Sequence, residues 1–299
     1  MSETEKVMDR IDAEKLLRRA TTASVCVALI LIGLKTWGYV ESGSVALFGT
    51  LMDSVMDSLS SIVIFGAVRF SLAPADDDHR FGHGKAEAIA GLLQGFIIAL
   101  SSLLLFYEVI KKILNPEQVK APELGISIIV VSIILTLLLV SYQKYVTRKT
   151  GSVAIAADGM HYAGDVILNL GVIISLVLSA YFEINYADPF FGALAGFYLF
   201  YSAYQVFITS TDVLMDKEME DSEREKIKEI IHSHSEVLDI HELRTRRSGL
   251  NIFIQFHMEL EDGISLSEAH HISDEVEESI MELFPNAEVF IHADPVKVK

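Results

Sequence analysis

Asp53 and Asp57 stand four residues apart inside an apolar stretch, Ser44 to Ser71, that is long enough to cross a bilayer. A carboxylate at membrane depth costs at least ~2.5–3.5 kcal/mol on insertion scales, so it faces a cavity or a partner. On a helix this spacing puts both acids on one face. Like charges so placed repel unless they share a proton or a cation. A second apolar segment, Ala154 to Tyr181, repeats the arrangement with His161 and Asp165. Three carboxylates and an imidazole, paired at helical spacing, form a tetrahedral site for a divalent metal. The competing reading, buried Asp residues bonded to Ser54, Ser58, Ser60 or Ser61, leaves four costly ionisable groups without a purpose. Asn169 extends the same stripe and reads as a bond between helices.

Two further groups have ligand chemistry. In the polar loop after the first acidic span, Asp76, His79 and His83 lie beside Gly82 and Gly84, which free the backbone to fold around a metal. Lys85 closes this loop, and a salt bridge to Asp216 at the membrane surface is expected. In the tail, His241, His257, His270, His292 and Asp294 are spread over three expected strands and a helix. No local zinc spacing joins them, so only the fold can. His292 and Asp294 share a face at strand period, and a carboxylate bridging two imidazole-held metals is reasonable chemistry.

The elements that must position these groups follow from the apolar pattern. Six spans are expected: Ala23–Val40, the Asp53 stretch, Ala86–Val109, about Leu124–Tyr142, Ala154–Tyr181, and one after Ala187–Asp188–Pro189 ending near Thr211. Each is near the ~20 residues a bilayer requires. Asn115–Pro116 and Ala121–Pro122 bracket the third connection. The domain division is a segment over residues 1–20, a transmembrane domain over 21–213 and a tail domain over 214–299. In the tail, Ser222–Ser233 and Leu266–Phe284 read as amphipathic helices, the second capped by Ser265 or Ser267. Val237–Arg246, Leu250–Glu259 and Glu288–Ala293 read as strands, with turn chemistry at Arg247–Ser248–Gly249. An α-β-β-α-β order implies a small sheet with helices on one face.

Apolar residues make up 51% of the chain and mean hydropathy is +0.38, too high for an ordinary soluble domain of this length. The net charge is −17, and from Asp216 onward 21 acids face nine Lys and Arg. That balance disfavours nucleic acid and suits a domain that attracts cations. The single Cys26 excludes a disulfide framework and a thiolate zinc site, and no cleavable signal peptide is visible before the first span. Basic residues flank the N-terminus, the second loop (Arg69, Arg80, Lys85) and the fourth (Lys144, Arg148, Lys149), although the third loop carries Lys111, Lys112 and Lys120. The positive-inside bias therefore places both termini in the cytoplasm.

The DxxxD at Asp53/Asp57, the HxxxD at His161/Asp165, the loop ADDDHRFGHGKAEA and the tail segments HELRTRRSG and IHADP resemble the cation diffusion facilitators, nearest the bacterial ferrous-iron and zinc efflux branch. The resemblance covers the chain after about residue 20. It implies an α-helical membrane protein: six transmembrane helices followed by a cytoplasmic α+β, metallochaperone-like αββαβ domain. It further implies a homodimer in the plasma (inner) membrane that exchanges metal for protons, and it is no enzyme. Asp53, Asp57, His161 and Asp165 would form the transport site, and Asp76, His79 and His83 a loop site. His241, His257, His270, His292 and Asp294 would hold a dinuclear pair, with Lys85 and Asp216 as interlocking charges. One imidazole and three carboxylates favour Zn²⁺, then Fe²⁺, with Cd²⁺ able to follow Zn²⁺ and the histidine leaning against Mn²⁺. An intramembrane metalloenzyme is the rival; a complete four-ligand set and the lack of an HExxH motif stand against it.

Overall fold

The computed structural model describes residues 10–42, 45–114, 123–182 and 187–296. Six long helices come first: α1 (Arg10–Ser42), α2 (Val45–Ser71), α3 (Ala86–Leu114), α4 (Glu123–Thr150), α5 (Val153–Phe182) and α6 (Ala187–Leu214). The tail follows as α7 (Asp221–His232), β1 (Asp239–Ser248), β2 (Asn251–Leu260), α8 (Leu266–Leu283) and β3 (Ala287–Pro295). Among the described residues, five of the six long helices are long and apolar enough to span a membrane, and α5, at 30 residues, is longer than all of them but α1.

Several helices outrun the spans expected for them. α1 already includes Arg10, so residues 10–20 belong to this helix and not to a segment apart from it; residues 1–9 lie outside the described residues. α4 runs through Lys144, Arg148 and Lys149 to Thr150, leaving only Gly151 and Ser152 before α5. Long charged side chains are good helix formers, so a basic run at a membrane edge continues a helix as readily as it ends one. The Asn115–Pro116 and Ala121–Pro122 connection lies outside the described residues.

The bundle exposes large apolar side chains and buries polar ones among its apolar core. Leu29, Leu100, Leu104, Leu138 and Phe197 are exposed, whereas Ser24, Ser61, Gln94, Ser102, Gln143 and Ser202 are buried. Such an arrangement suits lipid, where helices associate through close packing and hydrogen bonds across their contacts. Ser102 Oγ, for example, donates to Gly196 O at 2.9 Å, tying α3 to α6.

In the tail, β1 and β2 are antiparallel and β3 joins β2 in parallel. Ile252, Ile254, Phe256, Met258 and Leu260 point to one face of β2, where they pack with Ile227 and Ile231 of α7 and Val276 and Ile280 of α8. Ser265 caps α8 by accepting from the Glu268 N–H at 3.2 Å. β1 bulges between His241 and Arg244, and Glu242 inside the bulge has φ +52°. This extra residue lets His241 stand opposite His257, which in turn stands opposite His292. The three histidines form one row across the sheet.

Candidate functional site

α2 and α5 meet inside the bundle. His161 Nε2 lies 2.9 Å from Asp57 Oδ1. One donor atom each from Asp57, His161 and Asp165 falls within 4.8 Å of the others, a group able to hold a metal ion. His161 is buried, and its Nδ1 has no hydrogen-bond partner among the described residues. Asp53 stands one turn earlier on α2 and is exposed on the single chain, outside this trio. Its charge still acts on Asp57 and Asp165. Three gathered ligands leave a fourth position open, so ligand count alone does not separate a carrier from a metalloenzyme.

Sequence reasoning passed over two buried groups around the trio. Asp158, one turn before His161, is enclosed: Gln143 Nε2 donates to its Oδ2 at 2.7 Å and Ser61 Oγ to its Oδ1 at 3.3 Å. Ser61 and Tyr162 share a further bond at 2.9 Å, and Gln143 also reaches Ser24. The signal was present, since Asp158 is a third acidic or basic residue within the same span. Lys35 of α1 is the other group; it is 9% exposed and donates to Ser54 Oγ at 2.6 Å.

The loop between α2 and α3 brings Asp76, His79 and His83 together within the same 4.8 Å. Asp76 Oδ1 accepts the His79 backbone N–H at 2.7 Å, and Asp76 Oδ2 lies 3.3 Å from His83 Nε2. The His79 N–H, with both histidines nearby, holds the Asp76 carboxyl below the usual carboxylate range. Two imidazoles and an exposed carboxylate fit a borderline-soft divalent ion.

Lys85 Nζ lies 2.9 Å from Asp216 Oδ1, joining the end of the α2–α3 loop to the segment after α6. Arg246 of β1 adds a second cation to the same oxygen at 3.2 Å. Partial burial pushes the Asp216 carboxyl up, but the Lys85 bond and the Arg246 charge outweigh this and leave it lowered. The stability gained is present above the ordinary carboxylate pKa and is lost as pH falls through the lowered folded value. Both partners are partly exposed, which limits it to about 0–1 kcal/mol.

On the sheet face away from α7 and α8, His241, His257 and Asp294 gather within the same 4.8 Å. Asp294 Oδ2 lies 2.8 Å from His257 Nδ1, and Asp294 Oδ1 lies 3.1 Å from His292 Nε2. The His257 bond, with the neighbouring imidazoles, holds Asp294 below its usual range. Glu259, overlooked in the sequence, pairs with Asp294 in the sheet and sits 3.4 Å from His241. Imidazoles with a shared carboxylate fit a metal pair. His270 is not brought in; it lies on α8, 3.5 Å from Asp274.

Residues 21–215 match the cation efflux transmembrane domain family, and residues 219–296 match the cytoplasmic domain of cation efflux proteins. The chain is 40% identical over 284 residues to the cation-efflux pump FieF of Salmonella choleraesuis (strain SC-B67), covering 95% of this chain and 94% of the relative. It is likewise 40% identical over 287 residues to FieF of Cronobacter sakazakii (strain ATCC BAA-894), covering 96% and 95%. These are transporters and not enzymes, which decides what the ligand count left open. The chain is therefore a multi-pass membrane protein of the cation diffusion facilitator family, in the branch of the bacterial FieF cation-efflux pumps.

Proposed function

We propose that the protein exports Zn²⁺ in preference to Fe²⁺, with Cd²⁺ also carried and Mn²⁺ disfavoured, from the cytoplasm in exchange for protons. The observation that carries this reading is the trio of Asp57, His161 and Asp165 inside the bundle. Asp53 completes the set by turning inward from its place one helical turn away. One imidazole and three carboxylates in a four-coordinate cage suit Zn²⁺ better than ions that want more oxygen ligands. Binding requires a neutral imidazole and ionised carboxylates, so metal expels protons and protons expel metal. A site open to the cytoplasm when metal-loaded and to the exterior when protonated lets an inward proton gradient drive metal out. Arg69 and Arg148 with Lys149 lie in the last turns of α2 and α4, Lys85 lies just before α3, and on this side Arg10 reaches Asn251 and Lys85 reaches Asp216 of the tail, which supports cytoplasmic termini in the inner membrane.

The test is metal uptake into proteoliposomes under an imposed pH gradient, with each ion supplied alone. Zn²⁺ is expected to be carried fastest and Fe²⁺ next, each only with the gradient. Uptake indifferent to the gradient contradicts the exchange, and a preference for Mn²⁺ contradicts the ligand argument.

Under the same reading, the tail site binds a metal pair and brings two copies together. The model of the matching cytoplasmic family is named for a dimer, and two strongly acidic tails repel until metal neutralises them. Sedimentation of the purified protein should show a dimer that tightens with Zn²⁺ and loosens with chelator. Identical association in both conditions rejects this role for the tail site.

A further inference from the structure

The transport-site reading, on which this inference rests, has a charge imbalance. Three carboxylates, a neutral imidazole and one divalent ion leave a single net negative charge inside the membrane. A net charge there is costly, and opposite charges nearby are the usual remedy.

Lys35 is placed to supply that remedy. It lies on α1, seven residues before the helix ends, yet it is 9% exposed and does not reach toward the surface as lysines near span ends usually do. Its Nζ donates to Ser54 Oγ at 2.6 Å and to Thr50 O at 3.0 Å. Both acceptors belong to α2, and Ser54 is the residue next to Asp53. The tether therefore holds the ammonium beside the acidic face of α2, where it interacts electrostatically with Asp57, Asp165 and Asp53. Among the described residues, Lys35 forms no ion pair with any of these carboxylates. An ammonium offers donors only and cannot itself bind metal. A lysine buried beside a candidate cation site and bonded, among the described residues, only to neutral oxygens needs a role other than coordination.

We propose that Lys35 is a fixed counter-cation of the transport site. It brings the metal-loaded site to neutrality, and its repulsion of the bound ion weakens binding enough for the ion to leave. Lys35 is thus a positioning residue for charge, set against the simpler role of tying α1 to α2.

Two substitutions separate these roles. Lys35→Gln keeps a donor for Ser54 and removes the charge, whereas Lys35→Arg keeps the charge. Calorimetry with Zn²⁺ on the full-length protein isolates the transport site as the binding component lost in Asp57→Ala. In Lys35→Gln that component should tighten by about tenfold or more, because a like charge has been removed from a low-dielectric site. Turnover in proteoliposomes should fall by a similar factor while KM also falls. Lys35→Arg should return both values toward those of the original protein. Ser54→Ala, which loosens the tether without removing charge, should shift affinity in the same direction but less, and it serves where the Lys35 variants fold poorly. Unchanged or weakened Zn²⁺ binding in Lys35→Gln and in Ser54→Ala overturns the proposal and leaves the structural tether. If Asp57→Ala loses no Zn²⁺ component at all, the transport-site reading fails instead.

Discussion

Replacing Asp57 with alanine should abolish metal transport. Asp57 offers one of the three donor atoms gathered within 4.8 Å, and its Oδ1 is the partner of His161 Nε2 at 2.9 Å. Without it, the buried imidazole has neither nitrogen satisfied, since Nδ1 already has no partner among the described residues. Even the loss of groups that only support a metal ligand lowers affinity by 10–100-fold, so losing a ligand should exceed ~100-fold. Zn²⁺ uptake into proteoliposomes should drop to the level of protein-free vesicles. The tail core of Ile227, Phe256, Met258, Val276 and Ile280 includes no residue of α2, so the change leaves the packing of the tail domain as it is. Uptake within a few-fold of the original protein removes Asp57 from the site.

Replacing Gly84 with alanine should disrupt the junction between membrane and tail. A Cβ on Gly84 would clash with Ser248 O and would meet Ser248 C at 2.5 Å and Ser248 Oγ at 2.8 Å. Two of these atoms are backbone and cannot rotate away. On the other side stands Gly249, whose φ of +61° suits the tight β1–β2 turn and whose own Cβ would lie 3.1 Å from Gly84 Cα. The loop and the turn touch backbone to backbone, and the Lys85–Asp216 pair lies beside them. Overpacking of this kind costs roughly 1–3 kcal/mol. A lower melting temperature, with faster proteolysis at the segment after α6, is the expected result. A Gly84→Ala protein that melts with the original contradicts this packing.

The roles of Gly82 and Gly84 show how far the sequence could be read. Both look like hinges around a metal, but only Gly82 has the left-handed backbone, at φ +77°. Gly84 is required because another chain segment approaches it, and such an approach leaves no mark in local sequence. The Asp57, His161 and Asp165 trio was legible because intramembrane charge is costly and helical spacing fixes which residues share a face. Asp53 stood out by the same spacing, but where two helices diverge by a turn depends on packing that spacing does not encode. Lys35 and Asp158 were passed over for the opposite reason. Lys35 is the one charge within its span, Asp158 is overshadowed by the His161 and Asp165 pair that follows it, and the surroundings of each become visible only when Ser54, or Gln143 and Ser61, approach from other helices. The histidine row across β1, β2 and β3 depends on the bulge at Glu242, which shifts His241 into line. Alternation alone predicts the strands and not their register.

The central claim is that α2 and α5 surround one divalent ion inside the membrane. Cryo-electron microscopy of the Zn²⁺-loaded protein in lipid nanodiscs tests it directly. The account predicts a single density among Asp57, His161 and Asp165, with Asp53 turned inward to complete four ligands. A well-resolved map with no ion among these residues, or with Asp57 and His161 drawn apart around an empty gap, would contradict it.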